Sequence, residues 1–306
     1  MNLADLNRAG AELGTRFTLL GTLPLTVVVT VVAALVAAGA PGRAPDLNAV
    51  AAELGRLSVA EGVLTAAAVL IVAVLLTPLQ NPLVRLFQGH WGTRGPIGWI
   101  AESRISRHRE IRLEIDKRTR HVGASAPTDA SSEVAKWELR HRYPSEEAVR
   151  PTVLGNVLRA AEGRAGAQYG LDSVVTWPRL YPLLDDKVAA VVDDQRTQLD
   201  VGVRFAACFL AAAVLTFGLL VAHGWWLVVP ALFGVLSYLA YRGSVVAADG
   251  YGRAVEAAYD RHHLDLRDAL GVSRPASSSA ELALNEQLML LWRGKTAIDI
   301  EYDDRQ

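Results

Sequence analysis

The sequence predicts an all-α polytopic membrane protein, with four transmembrane helices and a mostly helical cytosolic module. Two observations carry this: four long apolar runs hold almost no charge, and basic residues crowd into one of the connections between them. Neither the length of 306 residues, the 51% apolar content nor the net charge of −1 separates a membrane protein from a large soluble one. The distribution does, because about 20 residues at ~1.5 Å rise cover the ~30 Å of a bilayer's hydrocarbon.

Residues 1–16 read as a short interfacial helix. The first apolar run is Phe17 to Ala40 and the second is Val59 to Leu79, charge-free apart from Glu61 near its start. The third, Phe205 to Ala222, is followed after only His223 and Gly224 by the fourth, Trp225 to Tyr241. Four buried core helices of a soluble protein would need a polar stripe or shell, and helices of this length that are apolar all round belong in lipid. The first run is longer than the apolar core of a cleaved signal, and Pro41 would follow the cut offered by Ala38, Gly39 and Ala40. It reads as a retained anchor. Pro45 to Leu57 forms a small amphipathic helix outside, with Leu47, Val50, Leu54 and Leu57 at helical spacing behind an Asp46 N-cap.

Orientation follows from Lys and Arg. Asn81 to Arg120 carries nine of them against four acids, whereas Ala40 to Ser58 has only Arg43 and Arg56. The basic stretch is therefore cytoplasmic, and four crossings place both termini in the cytoplasm. The chain divides into an N-terminal segment with two spans (1–79), a cytosolic module (80–200), two further spans (201–241) and a cytosolic helix and tail (242–306). Arg far outnumbers Lys, and Ala, Val and Gly abound, a composition associated with GC-rich bacterial genomes and hence a bacterial cytoplasmic membrane. Cys208, alone and within the third span, excludes a disulfide framework and a Cys-based metal site.

Within the module, Pro78 and Pro82 break the chain at the membrane edge. Trp91 and Trp99 interleaved with Arg85 and Arg94 suit the headgroup region or an ordinary packed loop. Ala101 to His121 is a basic helix whose Arg104, Arg107, Arg109 and Arg112 either contact anionic lipid or form a solvated face. Glu110, Glu114 and Asp116 interrupt the field and disfavour nucleic acid. Gly123 to Ser132 reads as a linker. Ser145, Glu146 and Glu147 then open a helix that ends at Tyr169 and Gly170 and carries Val153, Leu154, Val157, Leu158 and Ala161 on one face. Val174 to Trp177 follows as a strand-like piece stopped by Pro178.

The helices bearing the third and fourth spans extend into polar residues, from Asp185 on one side and past Arg242 on the other, and should pack as an antiparallel stalk. Gly271 and Pro275 end the second. Ser278 and Glu281 form a capping box for a last helix with Leu284, Leu288 and Leu291 on one face and Gly294 as its cap. Ile298, Ile300 and Tyr302 alternate as a half-buried edge strand.

The pattern LGNVLRAAE then YGLDSVVTWPRL, within Pro151 to Leu180, together with NPLVRLFQGHWG, resembles a group of uncharacterised bacterial multi-pass membrane proteins. The resemblance implies the membrane architecture and no activity.

Motifs for catalysis are absent: no P-loop, G-x-S-x-G, H-E-x-x-H or dinucleotide glycine triplet. Neither a metal nor a cofactor is expected. DRHHLD, Asp260 to Asp265, puts Asp260 and His263 one turn apart, but with Glu256 a turn earlier and Arg267 a turn later a plain ladder of exposed charges explains the same residues. Glu162, Arg164, Tyr169 and Asp172 could line a pocket or serve structural hydrogen bonds. Thr18, Thr22, Thr26 and Thr30 recur every fourth position on the first span, drifting only ~40° per step. They either line a pore made by several copies or bond their own backbone and pack helices. The expectation is a non-enzymatic, membrane-anchored scaffold whose cytosolic face binds another protein or a second copy. The alternative is an oligomeric channel lined by the first span.

Overall fold

The computed structural model describes residues 24–55, 58–76, 80–92, 94–121, 130–273 and 275–295. Their regular elements are helical: α1 (Pro24–Ala37), α2 (Leu47–Leu54), α3 (Val59–Leu76), α4 (Gln80–Phe87), α5 (Gly95–His121) and α6 (Ala130–Arg142), then α7 (Val153–Arg164), α8 (Ser173–Leu180), α9 (Asp186–Leu220), α10 (Val228–Leu270) and α11 (Ser278–Trp292). Expectations for the interfacial helix at 1–16, Thr18, Thr22, most of the linker and the strand at Ile298 to Tyr302 lie outside the described residues.

Two of these helical segments are long and apolar enough to cross a membrane, Asp186–Leu220 and Gly224–Leu270. Only 39% and 22% of their most apolar stretches are buried, whereas the core helix of a soluble protein is mostly buried. Among the described residues, the first two apolar runs are helical over Pro24–Ala37 and Val59–Leu76. The chain divides into two compact units, residues 1–86 with 200–244 and residues 87–199 with 245–306.

In the first unit the α9 and α10 segments run antiparallel. Ser237 Oγ donates to the Ala206 carbonyl at 2.8 Å, and a Cβ at Gly202 would meet Ser244 at 3.1 Å. Small residues at this seam (Gly202, Ala206, Ser237, Ser244) let the backbones approach, as membrane helix pairs require. Leu25 and Val28 of α1 pack on Cys208, Ala212 and Phe233, and Leu35 packs on Leu220 and Trp226. The outward side chains are apolar: Val214, Phe217, Leu232 and Leu239 on the pair, Val63, Leu64 and Ile71 on α3. In water such a surface would be an aggregation liability; in lipid it is solvated.

The second unit is built on the polar extensions of the same two helices. Val192 of α9 and Val255, Tyr259 and Leu266 of α10 form one core with Ala165, Leu171, Leu180, Leu288 and Met289. α7 meets α10 closely: a Cβ at Gly252 would lie 2.6 Å from the Ala161 methyl. α11 closes the core with Asn285, Leu288 and Met289 rather than with a Leu284, Leu288 and Leu291 face, since Leu291 is exposed.

Several local expectations are corrected. Val174 to Trp177 is part of α8, not a strand. Asp172 caps that helix by accepting from Val174 N, and Ser173, Thr176 and Leu180 are buried at helical spacing. Burial on a helical face outweighs the β-propensity of Val-Val-Thr. The stretch after Ser145 is a single 3-10 turn, Glu146–Ala148, with no side-chain cap. The α-helix starts later, where Thr152 accepts from Gly155 N, and it ends at Arg164. The cap of α11 is Ser277, whose hydroxyl accepts from Ala280 N. Glu281 is turned to Arg267 instead, which takes it out of a capping box. Helix α5 begins at Gly95, ahead of Ala101, and α6 includes Ser131 and Ser132, which the linker reading had claimed.

Candidate functional site

A cleft of about 720 Å³ opens where α5, α6, α7 and the start of α8 meet in the second unit. Its construction begins with a strap, the segment 144–151, which carries no long helix and must have its backbone satisfied otherwise. Three arginines of α5 do this: Arg112 Nε donates to the Pro144 carbonyl at 3.0 Å, Arg109 Nε to Glu146 at 3.3 Å and Arg104 Nε to Pro151 at 3.2 Å. At the far end the buried Asn156 side chain brackets Arg150, accepting from its N–H at 2.6 Å and donating to its carbonyl at 3.0 Å. Gly155 lies so close to the chain before α5 that a Cβ there would sit 2.5 Å from the Gln88 carbonyl oxygen.

Four arginines line the cleft: Arg112 from α5, Arg140 from α6, Arg159 and Arg164 from α7. Two carboxylates face them, and both are already paired, one within the cleft and one outside it. Glu162 Oε2 takes Arg159 Nη1 at 2.5 Å, and Asp172 pairs with Arg293 while capping α8. Arg164 is held by Glu256, whose Oε1 lies 2.7 Å from its Nε, and by the Arg140 carbonyl. The terminal nitrogens of Arg112 and the exposed guanidinium of Arg140 have no carboxylate partner among the described residues. Tyr143 and Ser145, whose side chain caps no helix, line the same space together with the apolar Leu139, Ala160, Leu171 and Val174. Burial raises the Tyr143 phenol above its ordinary pKa. Beneath it His108 sits with ring centroids 6.1 Å away; burial, then the charges of Arg104 and Arg107, lower its pKa. The site is a preorganised set of donors with a positive excess.

The other sequence candidates are distributed as follows. Of the basic-helix arginines, Arg104, Arg109 and Arg112 hold the strap through Nε, and Arg107 is exposed. Thr30 Oγ1 donates to the Thr26 carbonyl at 2.8 Å, the backbone bond of a helical hydroxyl. Glu162, Arg164 and Asp172 do converge on the cleft, while Tyr169 instead stacks on His263 at 3.8 Å between centroids. Asp260 accepts from Gln168 and Tyr169, and among the described residues no group of three or more His, Cys, Asp or Glu could hold a metal. Arg112 and Arg140 gave no sign in sequence of belonging to one site, because neither α6 nor the strap that brings them together was foreseen.

A second polar cluster ties α11 to α10. Arg267, 1% exposed, pairs with Glu281 and gives Nε to Asn285 Oδ1 at 3.3 Å, and Asn285 Nδ2 donates to the Tyr169 carbonyl at 2.6 Å. Arg267 and Asn285 are each 1% exposed, so this cluster latches α11 to α10 from within. No model of a known protein family, no curated protein and no solved structure matches the chain.

Proposed function

We propose that the chain is a membrane-anchored scaffold whose helical module presents the arginine-lined cleft to a partner on the cytoplasmic face. One observation carries this reading. α9 and α10 are each continuous from an apolar, outward-facing segment into a polar extension whose inner face builds the hydrophobic core of the module, so any ligand of the module is tethered to the bilayer. In this reading α1 and α3 supply two further crossings, which makes four and leaves both termini inside with the basic stretch. Catalysis has no part in it, and lipid is the solvent of the first unit.

The channel alternative draws less support, because Thr30 spends its hydroxyl on its own helix rather than on a lumen. In-cell photocrosslinking tests the scaffold reading. A photoreactive residue at Val174, on the cleft rim, should give a discrete protein adduct, and one at Val214, on the apolar outer face, should not. Adducts at neither position, or equally at both, count against a partner-binding module.

A further inference from the structure

We infer that the cleft binds a phosphate-bearing ligand, seated between Arg112 and Arg140 with Ser145 and Tyr143 as hydroxyl donors. The inference rests on the reading of the module as a binding element and names the chemistry of its ligand.

The charge balance comes first. Four arginines face two carboxylates, and both carboxylates are already paired, Glu162 with Arg159 and Asp172 with Arg293. Arg164 is likewise answered by Glu256. That leaves two cations converging on one concavity without an internal counter-charge. Arginines free to rotate into solvent would mean little, but one of these is fixed. Arg112 spends Nε on the Pro144 carbonyl, and this orients its two terminal nitrogens without consuming them. The wall that carries Arg140 is fixed as well, since its carbonyl receives Arg164.

A guanidinium with its fork free matches phosphate oxygens in a bidentate way, and charge-assisted bonds of that kind are roughly twice as strong as neutral ones. Neutral hydroxyls at Ser145 and Tyr143 extend the donor set to the third phosphate oxygen. The size also fits: about 720 Å³ lies within the range of small-molecule sites, far more than one inorganic ion fills. The apolar lining residues then accommodate the organic part of the ligand.

A soluble phosphate monoester and a phospholipid headgroup share this chemistry, and two arms distinguish them. The full chain is placed in phosphatidylcholine nanodiscs and titrated with glycerol 3-phosphate, with glycerol as the uncharged control. In parallel, retention of phosphatidic acid over phosphatidylcholine is read by native mass spectrometry. Each arm is repeated with Arg140→Gln, whose side chain is exposed and takes no part in the fold, with Ser145→Ala, and with Arg107→Gln as an exposed charge on α5 outside the cleft. Saturable binding in either arm that weakens about tenfold in Arg140→Gln, weakens less in Ser145→Ala and is unchanged in Arg107→Gln bears the inference out. The responding arm identifies the source. Binding in neither arm overturns it, as does an equal loss in Arg107→Gln, which signals diffuse attraction. A protein adduct in cells without phosphate binding retains the scaffold and removes this inference; phosphate binding without an adduct does the reverse.

Discussion

Arg267 of α10 and Glu281 of α11 form an ion pair nearly sealed from water, with side chains 1% and 14% exposed. His263 Nε2 stands 3.5 Å from the same carboxylate oxygen, and Arg267 Nη1 has no hydrogen-bond partner. Desolvation makes such a pair a weak net contributor but an expensive one to break from one side. Glu281→Ala should therefore cost about 3–5 kcal/mol, read as a lower thermal midpoint and faster proteolysis between α10 and α11. The double change Arg267→Met with Glu281→Leu should recover most of that loss. A double variant no better than the single one would mean the pair itself, not the stranded charge, supplies the stability.

Alkaline stability should depend on Tyr259. Its hydroxyl, fully buried, lies 2.6 Å from Thr176 Oγ1 and 3.4 Å from the Ser173 carbonyl, to which it donates. Burial pushes its pKa up to about 12. An unfolded tyrosine titrates near about 10, so the unfolded state sheds this proton first. The contribution is complete below that unfolded value and is lost as pH rises through the folded one. Tyr143, Tyr169 and Tyr181, also raised, act in the same direction. Tyr259→Phe should cost ~1 kcal/mol at neutral pH and flatten the alkaline fall in the unfolding midpoint. An unchanged alkaline slope would assign the fall to the other phenols.

Two glycines of one helix should respond oppositely to alanine. At Gly155 the new methyl meets the Gln88 carbonyl oxygen, and a loss of about 1–3 kcal/mol is expected. At Gly163 the space is open and the backbone helical, so the change should gain up to ~1 kcal/mol from helix propensity. Thermal unfolding of the two variants side by side checks both.

Helix α1 offers a further test. Since Thr30 bonds the Thr26 carbonyl, Thr30→Val should alter stability in detergent by no more than ~0.6 kcal/mol and produce no change in bilayer current. A current in the unmodified chain that Thr30→Val reduces would restore the pore.

Long-period features were legible in the sequence. The continuity of α9 and α10 across their polar and apolar parts follows from the helical spacing, which in α9 meets only Gly202 between its polar start and its apolar run. Short elements were not. Val174 to Trp177 looks like a strand until its neighbours bury Ser173, Thr176 and Leu180 on one side. Glu281 three residues after Ser278 looks like a cap until Arg267, distant in sequence, claims it. The cleft was half legible: Glu162, Arg164 and Asp172 lie within a dozen residues, whereas Arg112 and Arg140 reach it only through tertiary packing. Which run of hydrophobic residues crosses a bilayer is a local property; which arginines share a cleft is not.

Sidedness of the membrane is the most direct test of an anchored cytosolic module. In a Cys208→Ala background, single cysteines at Asn48, before α3, and at Ser131, in α6, are challenged in cells with a membrane-impermeant maleimide. Asn48→Cys should react in intact cells, and Ser131→Cys only after permeabilisation. The reverse pattern, or labelling of both without permeabilisation, would contradict a module held on the cytoplasmic face.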